Sequence, residues 1–348
     1  RLPRRHAGKA ALYVCQERRP PLPGFGSDEH LGGVAEEGGV PRHRSGNVLG
    51  TEHQLVVAVG SGYDEHRRDV TQLRGHSLSD HRIVPGFPKD TIHEIQHDTG
   101  YADNLVVLAE PFHLWVIEGP DQVQQLFPAE KAGLDVKFVK DMAPYRTRKV
   151  RILNGAHTAL VPPAYLSGLR TVRDSVEDKL VGKYIRQVIF EEIMPTLDLP
   201  ETELKKFADD VTERFRNPFI RHELSSIALN SISKFKVRVL PSILEYIKRK
   251  KQLPERLVFS LAALIRFYGD TWRNEALPVN DSPEIVAFFK TAWRTNDANA
   301  IAHATLGNVS FWDEDLNEIT GLRESVIHHL NTIMTCEKDQ SHFPIFNA

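Results

Sequence analysis

A short α/β stretch followed by a mostly α-helical domain is the fold class this sequence predicts, on three observations. Three β-branched and aromatic runs, Leu105-Val-Val-Leu108, Leu114-Trp-Val-Ile117 and Val136-Lys-Phe-Val139, crowd into residues 83–143. Beyond Pro144 apolar residues recur at three- and four-residue steps, as at Leu204, Phe207, Val211 and Phe215. Residues 1–82 show neither pattern. They hold 12 of the 22 Gly and 7 of the 16 His, one Phe, one Lys, and no Ile, Met or Trp.

That opening segment has too little apolar material to offset the entropy of ordering it. It reads as a disordered arm, as a truncated nucleotide-binding part, or as a stretch translated in the wrong frame from GC-rich coding sequence, the last accounting best for its Arg/Gly/Pro/His bias. The chain starts at Arg1 without Met, and the expectation is a fragment. Leu55-Val-Val-Ala-Val59 is a strand-like run ahead of Gly60-Ser-Gly62, yet the third glycine and the following amphipathic helix of a dinucleotide fingerprint are missing.

The helical part divides at its punctuation. Asn217-Pro218 stops the helix through Phe215, and further helices are expected at 239–250, at 255–268 before Gly269, at 283–294 and at 322–334. Ser282, Pro283 and Glu284 provide an N-cap, a first-turn proline and a first-turn acid.

Bulk numbers bound the function. With 348 residues, 41% hydrophobic, 26% charged and net charge -2, the chain is globular and gives no reason to expect nucleic acid or an anionic membrane as partner. Its two cysteines, Cys15 and Cys336, support neither a disulfide framework nor a thiolate metal site, which fits a reducing cytoplasm. No apolar run approaches the roughly 20 residues of a membrane helix.

The candidate for chemistry is Lys149-Val-Arg-Ile-Leu-Asn154-Gly-Ala-His157, read as the start of a long helix. At about 100° per residue, Asn154 lies roughly 140° and His157 roughly 80° round from Lys149, so the three can face one cleft and serve proton transfer at a carbon–oxygen bond. A helix start with a solvated lysine and a satisfied histidine fits the same spacing. Arg146, Arg148, Arg151, Lys234, Lys236 and Arg238 are cations suited to an anionic substrate, though Arg146, Arg148, Lys236 and Arg238 read better as a solvated helix face. Lys234 stands out because Asn230-Ser-Ile-Ser-Lys234 reads as a polar loop between helices. Glu110 and His113 fall at a strand end, where cleft and structural roles are alike open.

A competing reading takes His93-Glu94-Ile-Gln-His97, with Asp103 beyond, as a zinc hydrolase site: two histidines at i and i+4 grip the metal and Glu94 is the base. The polar Asp90, Gln96 and Asp98 around it argue for an exposed helix instead.

Five stretches together, Arg82-Ile-Val-Pro-Gly-Phe-Pro-Lys-Asp90, Ala109-Glu-Pro-Phe-His-Leu-Trp-Val-Ile-Glu-Gly-Pro120, Lys149-x4-Asn154-x2-His157, Phe215-Arg-Asn-Pro-Phe219 and Ser231-Ile-Ser-Lys-Phe-Lys-Val-Arg-Val-Leu-Pro241, resemble the long-chain mannitol dehydrogenase family over about residues 82–335. The resemblance implies an NAD-dependent, metal-independent polyol or aldonate dehydrogenase. Residues 83–143 would then be the α/β remnant of a Rossmann-like domain and residues 144–348 the helical C-terminal domain. It implies Lys149 as general base, its acidity raised by burial or by neighbouring arginines, Asn154 and His157 as hydrogen-bond partners of the reacting oxygen, and Lys234 with Arg238 or Arg151 at a sugar-acid carboxylate. The implied reaction interconverts D-tagaturonate and D-altronate in hexuronate catabolism. Sibling reactions on fructuronate or mannitol, and an inactive chain lacking cofactor binding, are the rivals. Two departures matter. No glycine-rich nucleotide loop is legible near the start, and Ser225-Ser226 stand where the mannitol enzymes carry a substrate arginine, which argues against a plain hexitol. The resemblance leaves oligomeric state open.

Overall fold

The computed structural model describes residues 114–218 and 221–347, and before them only 53–55, 75–80, 83–84, 93, 97–98, 100 and 108–109. The chain forms two compact units, residues 1–142 and 143–348.

In the first unit a four-stranded sheet runs β1 (His53–Leu55), β2 (Gly75–Asp80), β5 (Leu114–Glu118), β6 (Val136–Val139), and β3 (Ile83–Val84) pairs with β4 (Leu108–Ala109). Strands β1 and β2 thus lie within the stretch whose composition predicts little order. The expected strands at 114–117 and 136–139 are present. That at 105–108 is described only from Leu108, its earlier residues lying outside the described set. The β1–β2 and β2–β5 pairs are antiparallel; β5–β6 is parallel. A parallel pair needs a crossover, supplied here by α1 (Asp121–Leu126) and a 3-10 turn. Val123 of α1 packs on Ile117 and Val136, so 114–139 is one βαβ unit with its own small core.

The second unit is helical: α2 (Ala143–Arg148), α3 (Ala156–Leu166), α4 (Val172–Glu177), α5 (Lys179–Gln187), α6 (Glu201–Phe215), α7 (Leu224–Ile227), α8 (Ser231–Arg238), α9 (Leu240–Lys250) and α10 (Glu255–Phe267). A hairpin of β7 (Thr271–Trp272) and β8 (Glu275–Ala276) precedes α11 (Pro283–Ala292), α12 (Ala298–Leu306), α13 (Val309–Trp312) and α14 (Leu322–Asp339). Expected helices are found with small shifts: α9 and α10 fit, α11 hands over to a 3-10 turn at Trp293, and α14 runs on to Asp339. Ser282 does cap α11, accepting from the Ile285 amide at 3.4 Å.

Two helices form the centre. Every residue from Leu257 to Phe267 of α10 is buried, and α3 is buried along most of its length; the two pack together, with α14 on the other side of α10. A helix buried all round needs apolar residues on every face, which Leu257-Val-Phe-Ser-Leu-Ala-Ala-Leu-Ile265 provides. In α3 the pair Pro162-Pro163 removes two intrahelical donors. The carbonyl of Ala159, which Pro163 cannot serve, accepts instead from the Ser260 hydroxyl of α10 at 2.9 Å.

A π-helical turn, Lys149–Gly155, joins α2 to α3, so helical structure is continuous from Ala143 to Leu166. A second π-helical turn, Val188–Ile193, extends α5 and packs against the first.

Candidate active site

Lys149 opens the first π-helical turn and Asn154 lies near its end. In a π-helix bonding runs from i to i+5, which lays the sixth residue almost over the first. Asn154 is therefore brought back toward Lys149, well inside the 140° that ordinary α geometry gives. His157 follows on the first turn of α3, and all three side chains are half-buried. The expected nine-residue segment is thus helical, but it sits inside the rod and not at its start.

His157 is held from outside its own helix. The Phe215 ring at the end of α6 stacks on the imidazole at 4.1 Å between centroids and 21° between planes; the His222 ring meets it edge-on at 5.2 Å. Phe215 belongs to the Phe-Arg-Asn-Pro stretch noted in the sequence, whereas no sequence signal pointed to His222. The backbone around Asn154 is fixed as well, since the Thr158 hydroxyl donates to the Asn154 carbonyl at 2.9 Å.

Helix α8 packs against both the π-helical turn and α3. The approach is close: a Cβ on Gly155 would lie 3.0 Å from the Arg238 carbonyl oxygen, so this position takes a residue without one. Lys234 and Arg238 are one turn apart on α8. The structure corrects the expected loop around Lys234, because Ser231–Arg238 is helical from a left-handed Asn230 (φ 53) onward. The Ser231 and Ser233 hydroxyls donate to the Ala228 and Asn230 carbonyls, so the serines read as loop formers anchor the helix start instead.

Lys234 is half-buried and its Nζ donates to the Ile227 carbonyl at 2.9 Å. Burial, and then the neighbouring Arg238 charge, pull its pKa below the ordinary lysine value, with Asp281 opposing. Burial likewise lowers that of Arg238. Two cations held together partly out of water gain from an anion that both can reach. Arg151 differs. Its Nη1 donates to Ser242 at 3.0 Å, and its pKa is lowered by burial against the pull of Glu245, so it is tied to α9.

Other expected cations separate. Arg148 is not on a solvated face: it is 3% exposed, pairs with Glu203 at 2.7 Å and lies 4.3 Å from the centre of the Phe207 ring. A guanidinium leaves water only when paired and stacked in this way. Lys236 pairs with Asp313 at 2.5 Å, and Arg146 is exposed. Ser225 and Ser226 are exposed on α7.

Of the zinc candidate, His93 and His97 are exposed, and His97 Nδ1 lies 3.3 Å from Asp98 Oδ1. Glu94 and Asp103 lie outside the described residues, as do Glu110 and His113. Among the described residues no three His, Cys, Asp or Glu side chains converge to hold a metal. Nor do they cradle a dinucleotide: the strand-to-helix turn of the βαβ unit carries the single glycine Gly119, and Gly60 and Gly62 lie outside the described set. Among the described residues no helix is long and apolar enough to cross a membrane.

Comparison with known proteins agrees with this architecture. Residues 141–334 match the Mannitol dehydrogenase C-terminal domain family. An altronate oxidoreductase of Bacillus subtilis (strain 168) is 53% identical over 260 residues, 74% of this chain and 52% of that protein. One of Bacteroides thetaiotaomicron is 50% identical over 254 residues, 72% of this chain and 53% of that protein. The chain thus spans about half the length of the curated relatives it matches. Among solved structures, a Pseudomonas fluorescens mannitol 2-dehydrogenase ternary complex with NAD and D-mannitol superposes with a TM-score of 0.58 at 21% identity, covering 76% of this chain and 54% of that one. A D-sorbitol dehydrogenase in substrate-free form gives 0.60 at 23% identity, covering 75% and 52%. The matched residues 141–334 fall in the helical unit built around α3 and α10, and the chain belongs to the mannitol dehydrogenase C-terminal domain family.

Proposed function

We propose that this chain carries the catalytic domain of an NAD-dependent enzyme interconverting D-tagaturonate and D-altronate. The observation that supports it best is the packing of α8, with its two partly desolvated cations, against the π-helical turn that bears Lys149 and Asn154. A sugar acid has a carboxylate at one end and a reacting carbon–oxygen group along its chain. The relatives named altronate oxidoreductase, at 50–53% identity, direct the choice among sugar acids.

In this reading Lys149 takes the hydroxyl proton during oxidation and returns it to the developing alkoxide during reduction. Asn154 and His157 hold that oxygen by hydrogen bonds that strengthen as charge gathers on it. Phe215 keeps the His157 ring from turning, so little reorganisation is needed when the charge appears. Lys234, with hydrogen-bond donors left after Ile227, and Arg238 meet the carboxylate; Arg151, engaged by Ser242, backs them from α9. NAD as hydride partner, and residues 83–143 as part of a Rossmann-like domain, follow from family likeness. The described residues do not cradle a dinucleotide, so the chemistry argued here is confined to the proton and the substrate. A neutral hexitol would leave both α8 cations unmatched, which favours the aldonate over mannitol.

The test is oxidation of D-altronate with NAD by the chain and by Lys149→Ala. The expected loss in the variant is about 10³-fold or more in turnover, with an unchanged urea midpoint. Full activity in the variant, or equal turnover of D-mannitol, sinks the assignment.

A further inference from the structure

A cavity of about 740 Å³ opens between the β7–β8 hairpin, the end of α11 with its 3-10 turn, and the end of α14. Its size falls within the range of small-molecule sites. None of its walls belongs to α8 or to the π-helical turns.

The lining is strongly cationic. Arg266, Arg273, Lys290, Arg294 and Lys338 face it, against the carboxylates of Asp270 and Glu337. Arg266 and Glu337 cancel each other through a partly buried two-pronged pair, with Nη2 to Oε1 at 2.6 Å and Nε to Oε2 at 3.1 Å. Four cations then remain against Asp270. Lys290, Arg294 and Lys338 have no ion-pair partner among the described residues. Arg273 is fixed by donating from Nη2 to the Cys336 and Ser341 carbonyls at 3.1 and 2.9 Å. Trp293 is fixed too, its indole nitrogen donating to the Ile265 carbonyl at 3.2 Å.

The cavity lies where several elements end. Of the eight non-glycine residues with positive φ among the described residues, five line this cavity: Asp270, Arg273, Asn274, Asn296 and Gln340. Arg273 and Asn274 (φ 47 and 69) form the two-residue turn of the β7–β8 hairpin, and Asn296 and Gln340 are left-handed caps at the ends of the 3-10 turn and of α14, so chain ends from three elements meet at the cavity. Cations in the last turns of α11 and α14 also complement the helix dipoles. That accounts for one charge at each helix end, but not for three elements converging on an open cavity with a surplus of positive charge.

We propose that this cavity binds a small organic anion carrying two or more negative charges on clustered oxygens, the chemistry shared by sugar monophosphates and polycarboxylates. The exposed Lys290, Arg294 and Lys338 supply charge at the mouth, and Arg273 with Trp293 gives a rigid floor. The site is separate from the one that meets the sugar-acid substrate.

Calorimetric titration of the full chain at low ionic strength with inorganic phosphate, a hexose monophosphate, citrate and a monoanionic aldonate tests this. The multivalent anions are expected to bind at least about tenfold more tightly than the aldonate, and the Arg294→Glu/Lys338→Glu double variant, whose sites are exposed, to lose at least about tenfold while keeping the parent circular dichroism. A preference for the hexose monophosphate assigns a sugar phosphate; a preference for citrate assigns a polycarboxylate. No binding of any multivalent anion up to about 10 mM, equal binding of the aldonate, or undiminished binding by the double variant overturns the proposal.

Discussion

The two π-helical turns pack against each other and use the same irregularity for opposite ends. The first, Lys149–Gly155, leaves Lys149, Asn154 and Arg151 half-buried, with side chains able to meet a guest. The second, Val188–Ile193, turns Glu192 inward until it is 3% exposed. Its carboxylate accepts from the Arg256 and Leu257 amides at 2.9 and 2.8 Å, capping the first turn of α10, whose preceding Pro254 offers no side-chain cap. One turn presents polar groups and the other satisfies them. An extra residue in a helical turn is thus not in itself a mark of chemistry; what its side chains meet decides its use.

Breaking the second turn has the largest expected effect on stability. Glu192→Ala strands the buried Leu257 amide and the part-buried Arg256 amide of α10 and should cost about 3 kcal/mol, read as a fall in the urea midpoint. Burial raises the Glu192 pKa to about 7, against the pull of the Arg256 and Leu257 amides and the Arg256 charge. The folded state therefore holds a proton that the unfolded state has released between about pH 4.5 and 7. Stability from this group is full below that window and falls as pH rises through it, by about 3 kcal/mol. Glu192→Gln should flatten this slope; an equal slope in the variant would show that another group carries it.

The first turn is probed at its tightest contact. Gly155→Ala places a methyl 3.0 Å from the Arg238 carbonyl, and displacing α8 should cost about 2 kcal/mol and raise KM for the sugar acid more than it lowers kcat. A silent substitution would mean that α8 yields without affecting its cations. The smallest effect belongs to the bond that joins α10 to α3. Ser260→Ala leaves the Ala159 carbonyl unserved inside the core and should cost about 1 kcal/mol in the same denaturation assay.

Much of the helical unit was legible because its signals are local. Leu204, Phe207, Val211 and Phe215 mark the buried face of α6, and Ser282 with Pro283 marks the start of α11. The π-helical turn was not legible: a projection at α-helical pitch has no means of placing an extra residue, so it could propose Lys149, Asn154 and His157 as a trio but not the turn that carries the first two. Lys234 was misplaced in a loop because Ser231 and Ser233 have low helical preference, and only their bonds to Ala228 and Asn230 reveal a helix start. Arg148 looked like its neighbour Arg146 until Glu203, 55 residues away, claimed it. Continuation of α3 through Pro162-Pro163 depends on Ser260, 101 residues away. Long-range partners of this kind are invisible to spacing.

The Ser260 to Ala159 bond also bears on how the domain comes apart. A helix that completes its own ladder can fray by itself, whereas α3 borrows one acceptor's partner from α10, and α10 in turn relies on Glu192 for its first turn. Opening of α3 is therefore coupled to α10, and opening of the start of α10 to the second π-helical turn, a linkage that amide exchange would read as shared protection. Of the proposed catalytic residues His157 stands on α3 itself, and Lys149 and Asn154 on the π-helical turn continuous with it, so their geometry is linked to the stability of α10.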